Sequence, residues 1–168
     1  MITKTLITAP VLGFLLIMTL GATSCRRPSD GFSEKELALI EGTDSIMRVL
    51  TIEDESDLAV LRSSSTDLSL ACLQSDEYDR LAELMVATVT HPSQDGVGIA
   101  GPQVGLNRRV IAVQRFDKGI QTADGSEEYP FEVYANIRIV EASDSLVLGG
   151  EGCLSVPGKA GKVTRPNY

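Results

Sequence analysis

Cys153 stands in Glu151-Gly152-Cys153-Leu154-Ser155-Val156-Pro157-Gly158, where a thiol, a carboxylate and glycines are neighbours just after the apolar run Leu146-Val147-Leu148. A cysteine just past a strand, among glycines that let other groups come close to the backbone, suits a metal-ligating or nucleophilic thiolate. A second stretch upstream, Gly96-Val97-Gly98-Ile99-Ala100-Gly101-Pro102-Gln103-Val104-Gly105, places a carboxamide among glycines. Its Gly96-x-Gly98-x-x-Gly101 spacing also spells a dinucleotide-binding loop. That fingerprint follows a strand and opens a helix, whereas this one follows a helical pattern and runs into Pro102. His91, the single histidine, sits in the loop His91-Pro92-Ser93-Gln94-Asp95 and is expected to be solvated.

Together the two stretches resemble the first two motifs of the peptide deformylases, metallohydrolases that remove the N-formyl group from nascent bacterial polypeptides. The family's first motif reads Gly-apolar-Gly-apolar-Ala-Ala-x-Gln, matched here except at Gly101. The second, Glu-Gly-Cys-x-Ser, is matched in full by Glu151 to Ser155, and Val163-Thr164-Arg165 matches the next Val-x-Arg element. The resemblance covers about Met47 to Tyr168. It implies an α+β fold, small antiparallel sheets around a central helix that these residues do not include. It also implies the site. Cys153 is a metal ligand as thiolate, and Gln103 and the backbone N–H of Leu154 are catalytic as oxyanion donors. Gly96, Val97, Gly98, Ile99 and Gly152 are substrate-binding, and Glu151 is held structurally by Arg165. The implied cofactor is one divalent metal ion per complete chain, iron(II) first, with zinc or nickel as substitutes. The implied partners are N-formylated peptides or nascent polypeptides, bound by a monomer.

Hydrolysing a formamide near neutral pH needs a nucleophilic water, a group to take its proton, and donors for the oxyanion. A metal with three protein ligands and an open position supplies the first. In the family the other two ligands are histidines of an H-E-x-x-H helix whose glutamate is the base, and no such motif occurs here. The expectation is an enzyme sequence that stops before those ligands, inactive as it stands. The alternatives are a short, non-catalytic, envelope-anchored peptide-binding domain, or rescue by a partner chain.

The elements that would carry these residues are read from pattern. Ser75 to Val89 is expected to be a helix, with Ser75 as cap, acids in the first turn, and Tyr78, Leu81, Leu84, Met85 and Thr88 on one face. Pro92 disfavours helical geometry at His91 and ends it. Arg109 to Val113 reads as a strand, Phe116 to Tyr129 as a loop or hairpin tip, and Phe131 to Val140 as one or two strands. Ser143-Asp144-Ser145 turns the chain. Ile46 to Arg62 reads as extended or irregular chain broken by Glu53-Asp54-Glu55. Cys72, among Leu70, Ala71 and Leu73, reads as a buried structural thiol, with a disulfide to Cys153 as the alternative in an oxidising compartment.

At 168 residues the chain has room for one ordinary domain, and its net charge of −8 argues against nucleic acid as partner. Residues 1–25 read as a signal peptide of lipoprotein type: Lys4, an apolar middle at Val11 to Met18, then small residues before Cys25, the lipidation candidate. An uncleaved membrane anchor and a plain cleaved signal are the alternatives. Residues 26–45 read as a polar tether with a short helical pattern at Glu34 to Ile40, and 46–168 as the deformylase-like domain. The expected location is the bacterial cell envelope, attached through an N-terminal lipid or apolar segment, or the cytoplasm if that segment is not used.

Overall fold

The computed structural model describes residues 31–167, so the signal-type segment, Cys25 and the first part of the expected tether lie outside the described residues. The core is built on the helix α4, Asp76–Thr90. Ser75 caps it by accepting from the Tyr78 N–H, Asp76, Glu77 and Asp79 stand at its positive end, and its three- and four-residue spacing buries Leu81, Leu84, Met85, Thr88 and Val89. It ends at His91, which takes the extended conformation that the following proline favours.

Against α4 lies a three-stranded antiparallel sheet in the order β1-β2-β5, from Gly98–Ala100, Val110–Gln114 and Phe131–Ala135. Ile99 pairs with Ala112, and Ala112 with Val133, so the buried side chains of β1 and β2 meet the helix. A short 3-10 turn, Gly101–Val104, follows β1 directly. A two-residue ladder, β3 (Ile120–Gln121) with β4 (Glu127–Glu128), forms the hairpin tip. The hairpin of β6 (Leu146–Gly152) and β7 (Ala160–Pro166) runs in register from Leu146↔Pro166 to Gly152↔Ala160. The architecture is α+β with small antiparallel sheets.

Three expectations are corrected. Residues 31–45 do not behave as a tether: helix α1, Glu34–Glu41, carries a Ser33/Glu36 capping box, and Phe32 and Ile40 enter the core. The polar residues are its outward face. A second helix, α2, spans Glu55–Arg62 where irregular chain was expected, because Asp54 caps it through the N–H groups of Ser56 and Asp57. The acidic run is a helix start, with its carboxylates at the favourable end. Finally, β5 stops at Ala135, since Asn136 turns to φ 55° and its amide bonds both the N–H and the C=O of Leu68 at 2.8 Å. The one-turn helix α3, Leu70–Leu73, buries Cys72.

Candidate active site

Both chemistry-bearing stretches border one open cleft of about 770 Å³. Its lining takes in Gly96, Val97 and Gly98 from the first, Gly152, Cys153 and Leu154 from the second, and Gln103 from the turn after β1. Gln103 is held at both ends. Its Oε1 accepts from the backbone N–H of Ala100 at 2.9 Å, while its Nε2 lies 3.3 Å from Ser155 Oγ and 3.8 Å from Cys153 Sγ. The acceptor end is fixed by a backbone donor, so the two-proton end must face the thiol. Cys153 is exposed, at the end of β6, and Ser155 behind it is buried.

The main chain of Leu50 to Ile52 ties these pieces together. Leu50 N–H donates to Gln103 C=O at 2.8 Å, and Ile52 N–H donates to Ser155 C=O at 2.9 Å. Between them the Thr51 N–H bonds the carboxylate of Asp57, which also receives the guanidinium of Arg48. Asp57 is buried, and its hydrogen bonds from Arg48 hold its carboxyl below the usual range. This strap went unseen in the sequence: its bonds are mostly backbone, and backbone partners leave no residue-type signal. Asp57 had one available cue, its position at the first turn after the Asp54 cap.

Glycine is required at two points of the first stretch. A Cβ on Gly101 would meet the carbonyl oxygens of Leu106 and Arg108 at 2.8 Å each, which explains the glycine where the resembling motif has alanine. At Gly96 a Cβ would lie 2.9 Å from Val89 and 3.0 Å from a Leu154 methyl, so the cleft wall closes only over a glycine. The backbone thus needs these glycines for packing, not for cradling a phosphate.

The remaining expected residues divide. Arg165 donates from Nε and Nη2 to the two Glu151 oxygens at 2.8 Å each, a bidentate cross-strand pair on the exposed hairpin. That pairing lowers the Glu151 carboxyl and raises Arg165. Ile99 is the exception. Its side chain is 3 % exposed in the core and does not line the cleft, because the two-residue period of β1 turns it toward α4. His91 is exposed and its Nδ1 contacts Ser93 Oγ at 2.8 Å. Cys72 lies in the core cluster, whereas Cys153 is exposed.

Cys153 offers one thiolate, but among the described residues no three of His, Cys, Asp and Glu converge on a point. The described residues alone do not make a divalent-metal site.

A small α+β scaffold whose 3-10 turn presents a carboxamide to a thiol at a peptide-sized cleft is the class defined by fold and site. The sequence profile of the family described as Polypeptide deformylase matches residues 46–168, and the chain belongs to that family. Peptide deformylase of Leptospira biflexa is 36% identical over 108 residues, covering 64% of this chain and 59% of the relative. Peptide deformylase of Chloroflexus aurantiacus is 34% identical over 130 residues, 74% of this chain and 65% of the relative. The chain thus spans about three fifths of the length of such curated relatives. Among solved structures, the Met-Ala-Ser-bound class I type b peptide deformylase from Acinetobacter baumannii superposes with TM-score 0.59 at 32% identity, over 74% of this chain and 73% of that one. The Thermotoga maritima peptide deformylase shares the fold at TM-score 0.58 and 24% identity, over 73% and 69%.

Proposed function

We propose that these residues form the substrate-gripping part of a peptide deformylase site, acting on the N-formyl group of peptides beginning with methionine. The supporting observation is the Gln103 carboxamide aimed, at 3.8 Å, toward the Cys153 sulfur across the cleft. A formyl oxygen beside that amide would receive a hydrogen bond that strengthens as negative charge develops, and the Leu154 N–H is the second donor in this reading. The peptide would lie along β1. It is an edge strand of its sheet, so its outer backbone groups can pair with an extended chain. Cys153 would give one coordination position to a divalent ion, iron(II) in the first instance; the further ligands and the base would come from a longer form of the protein or from a partner.

A gripping domain without hydrolysis is the second reading. It is favoured by the apolar N-terminal stretch, which in this proposal exports the chain and attaches it to the envelope through Cys25. The shared first step is testable in the chain as it exists. N-formyl-Met-Ala-Ser should shift the amide resonances of Gly96, Val97 and Gly98, and Gln103→Ala should weaken binding about tenfold, the loss of one hydrogen bond. Equal binding of the unformylated peptide, or shifts elsewhere, rejects the proposal. Turnover of the same peptide once the further ligands and the base are supplied by the longer form or the partner, with iron(II) loaded, then separates the two readings.

A further inference from the structure

We infer that Ser155 is a positioning residue whose hydroxyl sets the donor edge of the Gln103 carboxamide toward the cleft. The inference rests on the reading of Gln103 as the group that meets the substrate carbonyl. A glutamine side chain has three rotatable bonds, and a carboxamide at a cleft can turn its oxygen or its nitrogen to the ligand. Only the nitrogen edge can serve a carbonyl. Two contacts remove the choice. The Ala100 N–H, 2.9 Å from Oε1, would face another donor if the amide flipped. Ser155 Oγ, 3.3 Å from Nε2, takes one of the two amide protons and leaves the other on the Cys153 side.

Ser155 can do this because it is itself enclosed and tethered. Its residue is 4 % exposed, and its carbonyl is pinned by the Ile52 N–H at 2.9 Å, in the strap that also holds the Gln103 carbonyl through Leu50. The strap therefore fixes the backbones of donor and acceptor relative to one another. A serine here supplies an acceptor on the shortest side chain that reaches, and an alanine would leave the Nε2 proton without one.

The test reads the side-chain amide of Gln103 by ¹⁵N NMR in the whole chain, its signals assigned by their loss in Gln103→Glu. Neither metal nor turnover enters, so the result is independent of whether formyl peptides are cleaved. In Ser155→Ala the two Gln103 proton signals should move together and exchange with water about tenfold faster, the factor of one net hydrogen bond. Ser155→Thr, which keeps the hydroxyl, should restore both. If Ser155→Ala does not fold, Ser155→Cys gives the same comparison with a weaker acceptor in nearly the same volume. Gln103 signals unchanged by Ser155→Ala or Ser155→Cys, or equally disturbed by Ser155→Thr, overturn the assignment. Should the NMR result hold while Gln103→Ala leaves formyl-peptide binding intact, the positioning stands and the proposed function falls.

Discussion

At the scale of single residues, the most informative position is Gly101, where the chain departs from the motif it otherwise spells. Its Cβ site is occupied by the Leu106 and Arg108 carbonyl oxygens at 2.8 Å and by a Val110 methyl at 3.0 Å. Backbone cannot yield as a flexible side chain can, so Gly101→Ala should lower unfolding free energy by about 1–3 kcal/mol in urea titration, the range for overpacking. Gly150→Ala, with nothing within 4 Å of the added carbon, is the control and should stay within about 0.5 kcal/mol of wild type. A stability unchanged by Gly101→Ala would mean that the turn relaxes freely. What the sequence showed at this scale was residue type: the thiol, the carboxamide and the Glu151–Arg165 pair could be picked out because each is chemically distinctive. Ser155 was visible as a letter of the motif but not as a partner of Gln103, since the hydrogen bond depends on a 3-10 turn that no local pattern announces. Ile99 turns its side chain into the core, so a substrate contact there would be made by its backbone, and a motif names positions without saying which face of a strand they occupy.

At the scale of elements, α1 shows where polar sequence misled. Glu36 is the N3 residue of the capping box and equally the partner of Arg108, which bonds it at 2.7 and 2.8 Å and also donates to the Gly31 C=O at 2.6 Å. The two side chains are 13% and 9% exposed, so the pair is nearly desolvated and clasps α1 to the loop entering β2. Burial alone would raise the Glu36 carboxyl, but the hydrogen bonds from Arg108 and Ser33 outweigh it and hold it below its ordinary value of 4.5. A carboxyl depressed in the folded state adds stability that is complete above its unfolded pKa and is lost as pH falls through the folded one. Stability to heat or urea should therefore fall progressively below about pH 4.5. Glu36→Gln should cost about 3 kcal/mol at pH 7, the low end for stripping one partner from a buried pair. Its deficit relative to wild type should shrink on acidification. A constant deficit at every pH would show that the carboxylate's charge contributes nothing. The exposed Arg80–Glu83 pair, at 3.6 Å, offers the contrast and should be worth under about 1 kcal/mol. Helix α4 was legible from its cap and spacing, and α1 from its short helical pattern at Glu34 to Ile40, though not its docking on the core through Arg108. Helix α2 was missed, its Asp54 cap being read as a break in irregular chain.

At the scale of the whole molecule, packing is unevenly shared, and the site straddles the division. Gln103 rides on the turn against the α4 core, where Leu81, Met85, Val89 and Leu106 are fully enclosed. Cys153 sits in the connection between β6 and β7, which pair with one another over seven residues each while nearly every side chain stays in solvent. Leu146 and Leu148 are each 62% exposed, and Ile139 and Val140 in the preceding segment are 90% and 95% exposed. A two-stranded ribbon with little buried apolar surface is marginal on its own. The hairpin should consequently open without global unfolding, and native-state hydrogen exchange measures that directly. Amides of α4 and β2 should exchange at the rate set by global stability, whereas those between Leu146 and Gly152 should exchange orders of magnitude faster and keep doing so when the core is stabilised. Ser155 and Ile52, tied through 2.9 Å of backbone hydrogen bond, mark where protection should begin to rise. A partner or further chain segment that covers Ile139, Val140 and Leu146 should slow exchange throughout the hairpin and fix the thiol against the carboxamide. Uniform protection across hairpin and core in the isolated chain would show instead that the two halves of the site already unfold as one unit.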